Sequence, residues 1–218
     1  MRAIFEQELE QVGEGLLQMA RHVQAGVRDA STALASADLQ LAEQVIAADD
    51  AIDAIEAELD ERCVTLLARQ QPVATDLRVI VSGLRISASI ERMGDLARHI
   101  AQVTRMRYPE QAIPEQAQET FAALAEAANR AATNVVALLE SHDLELAAAI
   151  ETDDEQLDEL HQRTFTTTLA SDWQGTTTET VDVTLLARFY ERFGDHAVSV
   201  AQRISYLVTG DLDGVSSD

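Results

Sequence analysis

Asp49, Asp53 and Glu56 stand at i, i+4 and i+7, and Glu91 and Asp95 form an i, i+4 pair. Further along, Asp154, Asp158 and His161 repeat the first spacing, and Glu191 and Asp195 repeat the second. On a helix these intervals put each row on one face. Gathered carboxylates are hard oxygen donors that suit Mg²⁺, Mn²⁺ or Ca²⁺, and bridging carboxylates also suit iron. His161 tilts the second set towards iron or zinc. His99, one turn beyond Asp95, is a further donor for the first. Two carboxylates about 6 Å apart repel by about 3 kcal/mol at an effective dielectric near 20. Protonation or a bound cation relieves that repulsion.

In a chain with 38 acidic residues, an isolated i, i+4 acidic pair is ordinarily a solvated face. Recurrence at matched positions is what separates these rows from that background. Asp38-Leu39-Gln40-Leu41-Ala42 returns as Asp143-Leu144-Glu145-Leu146-Ala147, an offset of 105. Glu91-Arg92-Met93-Gly94-Asp95 returns as Glu191-Arg192-Phe193-Gly194-Asp195, an offset of 100. A duplicated three-helix unit with a shorter connection in its second copy accounts for both offsets. Gly94 and Gly194 each cost about 1 kcal/mol relative to alanine inside a helix, which points to close approach of a neighbouring chain segment.

The elements that carry these rows are helices. Phe5, Leu9, Val12, Leu16, Met19, Val23 and Val27 alternate steps of 4 and 3 and predict a first helix over 2–35. Asp38 caps a second, whose stripe is Leu41, Val45, Ala48, Ile52, Ile55 and Leu59, and Gln70-Gln71-Pro72 ends it. Thr75 or Asp76 caps a third, running to about Arg107. Beyond Tyr108-Pro109 and Pro114 come a fourth over 115–140 and a fifth capped by Asp143. After the turn 171–176, with Trp173 as its anchor, comes a sixth over 179–208. The prediction is an all-α fold of two tandem, pseudo-symmetric three-helix bundles built from six long antiparallel helices. The first bundle spans 1–108, the second 115–210, and 211–218 is a flexible tail. Each acid stands one position after an apolar one, about 100° around the helix, at the border of the core. The rows of neighbouring helices therefore either face each other across a groove or splay to opposite edges.

Composition bounds the rest. The chain has 218 residues and a formal charge of −22; all sixteen basic residues are arginine, and 35 residues are alanine. So much alanine with nine glycines and three prolines favours helix. The charge repels phosphates and anionic headgroups, so nucleic acid and bare membrane are unfavoured partners, as is a simple cationic pocket for free phosphate or nucleotides. No apolar run approaches the roughly 20 residues of a bilayer span, and the N-terminus does not read as a signal peptide; a cytoplasmic location is expected. Cys63 reads as a small core residue. Arg92 and Arg192 are expected to pair with nearby acids, and His22, His142 and His196 to serve surface or capping roles. One Asp158-x-x-His161 spacing is present, but not the paired Glu-x-x-His motifs of di-iron bundles. No nucleophile–His–acid arrangement or phosphate-cradling glycine loop is evident.

These motifs resemble the PhoU family. The carriers are Asp49-x-x-x-Asp53-x-x-Glu56, Asp76-Leu77-Arg78, Glu91-Arg-Met-Gly-Asp95, Asp154-x-x-x-Asp158 and Glu191-Arg-Phe-Gly-Asp195-His196-Ala197, and the likeness covers residues 1 to 210. His161 stands where a third acid is expected, and His99 and Ser199 where the family often has Asn. The resemblance implies metal clusters on the acid motifs, with Mg, Mn, Fe or Zn as candidates, and a homodimer. It further implies a non-enzymatic negative regulator of the phosphate-starvation response, bridging a phosphate ABC transporter ATPase and a sensor histidine kinase at the inner face of the membrane. A carboxylate-bridged di-iron or other metal-dependent enzyme, and a helical adaptor whose acids only solubilise it, are the competing readings.

Overall fold

The computed structural model describes residues 2–211, and the tail expected from 211 on lies, beyond Asp211, outside those residues. Six helices follow one another: α1 (Arg2–Ser36), α2 (Leu39–Gln70), α3 (Thr75–Arg107), α4 (Glu115–Ser141), α5 (Leu144–Thr168) and α6 (Thr177–Thr209). Among the described residues there is no strand. The capping chemistry is local and legible. Asp38 accepts from the Leu41 amide at 3.0 Å and Asp143 from the Glu145 amide at 3.0 Å. Thr176 and Glu179 form a reciprocal capping box, so α6 begins two residues earlier than its apolar pattern predicts. The expected cap on α3 is corrected: Thr75 and Asp76 lie inside the helix, and Ala74, at φ 48°, precedes it with no side-chain cap. His142 does cap α4, in the left-handed conformation with its amide on the Leu138 carbonyl.

Helices α1–α3 pack as one bundle and α4–α6 as another, and α3 against α6 and α1 against α4 join the two. The seam between α3 and α6 is antiparallel. Arg78 lies over the Tyr206 ring at 5.4 Å, the His99 and Phe189 rings meet at 5.2 Å, and Arg107 binds Asp182 at 2.9 Å. Each advance along α3 is thus matched by a retreat along α6. The two Glu-Arg-x-Gly-Asp segments lie level at its middle, as a pseudo-twofold relation requires.

One apolar core runs through both bundles. The α3 residues Ile86, Ile90, Met93, Ala97 and Ile100 are buried, and so are their α6 counterparts Leu186, Tyr190, Phe193, Ala197 and Val200. Each large apolar side chain so buried contributes on the order of 1.5–3 kcal/mol. The α2 stripe departs from its expected register: Ala48 is exposed and Asp49, only 4% exposed, takes the core-facing place. Tyr190, wholly buried, shares a hydrogen bond of 2.8 Å with Ser31 and so ties α6 to α1 across the two bundles. Burial pushes its hydroxyl up to about 12. Tyr190→Phe leaves the Ser31 hydroxyl without that partner in a dry core and should lower unfolding free energy by about 1–2 kcal/mol in urea titration. An unchanged midpoint would show that this bond does not hold the bundles together.

Candidate functional site

Gly94 sets the distance between α3 and α2. A Cβ there would meet Ile52 Cδ1 at 2.8 Å and Asp49 Oδ1 at 3.3 Å. Gly194 does the same between α6 and α5, where a Cβ would collide with Asp154 Oδ1 and meet Leu157 Cδ1 at 2.8 Å. The missing side chains let one acid of each upstream row lean over the neighbouring helix. The two rows of each bundle therefore face one another rather than splaying.

In the first bundle the α2 acids act on the α3 acids. Burial first, then Asp95, Glu56 and Asp53 against the opposing Arg92, push Glu91 up to about 7. Asp49 is raised by burial, against Arg98, with Asp53 and Asp95 adding to the rise. Glu56 is raised by burial and by Asp60, Asp53 and Asp95. Arginines enter this group from α3. Arg98 Nη1 lies 2.7 Å from Asp49 Oδ2 and its other nitrogen binds Asp95. Arg92 donates to Asp95 Oδ2 at 2.8 Å and lies 3.4 Å from Glu91 Oε2, the pairing expected of it. Asp53 itself is exposed. His99 Nδ1 is buried without a hydrogen bond, and burial holds its ring below the usual imidazole range.

The second bundle repeats the layout with different compensation. Burial first, then Asp195, Asp158, Glu191 and Glu155, push Asp154 up to about 7. Glu191, 7% exposed, accepts from Arg188 through Oε1, while its Oε2 and the Asp154 Oδ1 are buried without a hydrogen bond. Where Arg98 sits in the first bundle, the duplicate carries Val198. Asp158 is exposed, and His161 packs on Phe165 at 5.1 Å, its ring kept neutral by burial and by Arg188.

All ten acid and histidine positions singled out from spacing thus lie in two groups, one per bundle. Among the described residues, however, no three His, Cys, Asp or Glu side chains converge on a single point as a ligand set. In chemistry the donors fit a hard cation: they are oxygen-rich and mutually repelling, and Asp154 Oδ1, Glu191 Oε2 and Asp49 Oδ2 are buried without a hydrogen bond, the last meeting Arg98 only as an ion pair. In geometry the carboxylates of each group must still close on one another.

Two buried acids lie outside these groups. Asp153, 7% exposed, accepts from Arg130 at 2.9 Å and Asn134 at 3.1 Å on α4. Asp182, 3% exposed, is held bidentately by Arg107. Asp153 carried a signal, an acid on a core-facing position, which calls for a built-in cation. His196 is corrected from a surface or capping role: it is half-buried in a groove on the α3–α6 seam. Trp173 is the turn anchor expected, its indole N–H donating to Thr180 at 2.8 Å. The Cys63 thiol is buried and pushed up to about 11, an inert core group.

A sign follows from the raised carboxyls. Between pH 4.5 and 7 the folded protein holds protons on Glu91 and Asp154 that the unfolded chain has lost, so stability falls as pH rises. Metal-free protein should melt at progressively lower temperature across that window, and Glu91→Gln with Asp154→Asn should flatten the slope. A flat profile in the parent protein would refute the crowding.

The PhoU domain family matches the chain twice, over residues 16–104 and 121–204. The phosphate-specific transport system accessory protein PhoU homolog 2 of Mycobacterium tuberculosis is 41% identical over 210 residues, covering 96% of this chain and 99% of that one. PhoU homolog 1 of Mycobacterium leprae is 40% identical over 212 residues, covering 97% and 96%. The crystal structure of PhoU from Pseudomonas aeruginosa superposes with a TM-score of 0.86 at 31% identity, covering 95% of this chain and all of that one. The phosphate transport system regulatory protein PhoU from Streptococcus pneumoniae gives 0.83 at 26% identity, covering 95% and 98%. With its two matched halves, its level Glu-Arg-x-Gly-Asp segments and relatives of the same length, the chain belongs to the PhoU family.

Proposed function

We propose that the protein is a metal-binding regulatory adaptor of phosphate uptake. In this reading it restrains the phosphate-starvation response by binding the ATPase of a phosphate ABC transporter and the sensor histidine kinase of that response. It acts in the cytoplasm as a homodimer and without catalysis of its own. Its relatives are accessory proteins of a phosphate-specific transport system, which supports the transport context. Among the described residues no helix is long and apolar enough to cross a membrane, so contact with the transporter at the inner face runs through protein surfaces. A surface of net charge −22 favours basic faces on those partners.

One observation carries the metal: Asp154 and Glu191 each keep a buried carboxylate oxygen without a hydrogen bond, beside Asp195 and Asp158. An orphaned buried oxygen is costly, and a cation of the Mg, Mn, Fe or Zn kind supplies the missing charge. Asp154, Asp158, His161, Glu191 and Asp195 would hold it in the second bundle, and Asp49, Asp53, Glu56, Glu91 and Asp95 in the first. Arg98 already compensates Asp49 and Asp95, so the second bundle fills first.

Elemental analysis of protein purified without chelator should find metal that Asp158→Asn removes before Asp53→Asn does. Added Mn²⁺ at about 100 times its dissociation constant should stabilise the fold by about 2.7 kcal/mol in the melt. Arg98→Ala should increase uptake by the first bundle. Capture of the transporter ATPase and the kinase on immobilised protein, with and without Mn²⁺, tests the partners; no capture of either defeats the adaptor reading. Oxygen consumption after Fe²⁺ loading should be nil, and turnover would favour an enzyme instead.

A further inference from the structure

The α3–α6 seam carries a groove of about 550 Å³. Arg85 and Ser89 of α3 line it together with Arg192, His196, Ser199 and Arg203 of α6. That is a volume in the range of small-ligand sites. In a chain where acids outnumber arginines by more than two to one, this concentration of guanidinium groups needs a cause. Neither Arg85 nor Arg203 takes part in the salt bridges formed by the described residues. They face each other instead: burial and the charge of Arg85 hold the Arg203 guanidinium below its ordinary value.

The duplication supplies an internal control. Position by position, Arg85, Ser89, Ser199 and Arg203 correspond to Leu185, Phe189, His99 and Val103. Those four lie at the mirror place on the opposite stretch of the seam, where His99 and Phe189 stack and Val103 is buried, while Leu185 stays exposed. One stretch of the seam is therefore lined by apolar and aromatic side chains, and its pseudo-symmetric mate is a groove faced with cations and hydroxyls. Packing alone is satisfied by the first solution, so it does not account for the second.

We propose that this groove binds a phosphate-class oxyanion, inorganic phosphate or the phosphate of a small phosphomonoester, between Arg85 and Arg203. Two guanidinium forks on opposite helices match the tetrahedral distribution of phosphate oxygens, and an anion between them turns their mutual repulsion into attraction. Ser89 and a ring N–H of His196 add donors. Ser199 gives its proton to the Asp195 carbonyl at 3.0 Å and acts only as a wall. Asp154, Arg192 and Asp195 also line the groove. The overall charge of −22 predicts no such pocket; it is a local inversion made by placing arginine on both sides of one seam.

Calorimetric titration of metal-free protein at fixed ionic strength, with inorganic phosphate and separately with adenosine monophosphate, tests the site. Saturable binding of either ligand is expected, weakened about tenfold or more by Arg203→Gln or Arg85→Gln, since each removes a charge-assisted contact. Arg85→Leu with Arg203→Val, which copies the residues of the mirror positions, should abolish binding with helicity retained; should that pair not fold, the single glutamine variants decide. Arg105→Gln, an exposed arginine outside the groove, should change nothing. Binding of neither ligand at tens of millimolar, or binding indifferent to Arg85 and Arg203, overturns the proposal. Metal content and partner capture are measured without phosphate, so failure here leaves the adaptor reading standing, and the reverse holds too.

Discussion

Repulsion between carboxylates on adjacent helices is the constraint around which this fold is arranged. Each bundle brings an acid row of its second helix against the Glu-Arg-x-Gly-Asp segment of its third, and a glycine removes the side chain that would hold them apart. Burial then raises Glu91 and Asp154 to about 7, so neutral pH finds these groups only partly charged. The core on either side, with Met93 and Phe193 wholly enclosed, provides the opposing free energy that keeps the rows in place.

The two copies answer the same repulsion differently. In the first, Arg98 reaches from α3 to both Asp49 and Asp95 and acts as a tethered counter-ion. In the second, Val198 leaves that place apolar, and two buried oxygens stay without a donor. Arg188 covers Glu191 alone. The two halves thus differ at matched places: one carries its own cation on Arg98, and the other leaves buried oxygens of Asp154 and Glu191 without a hydrogen bond.

Most of the fold was legible from the sequence because long helices with a 4–3 apolar rhythm and acidic caps announce themselves locally. The first-helix stripe and both third-helix stripes pack as their spacing requires. What spacing did not carry was rotation within about one residue. Asp49 takes the core position that Ala48 was expected to hold, because Arg98, from another helix, makes that burial affordable in electrostatic terms. Asp153 and Asp182 are buried for the same reason, through Arg130 and Arg107. Partners 23 and 75 residues away lie beyond any periodicity argument. Thr75 and Asp76 have the chemistry of a cap but stand inside α3, which is entered from Ala74. The seam between the bundles, and with it the burial of His196, follows from how two units dock, which neither unit's sequence states alone.

The Arg107–Asp182 clasp fastens the end of α3 to the start of α6, while the Arg78–Tyr206 contact fastens the opposite ends. Contacts at both extremities keep either end of the seam from peeling apart. Sliding of α3 along α6 would have to break the Arg107–Asp182 clasp, so the register of the two helices is held from both ends.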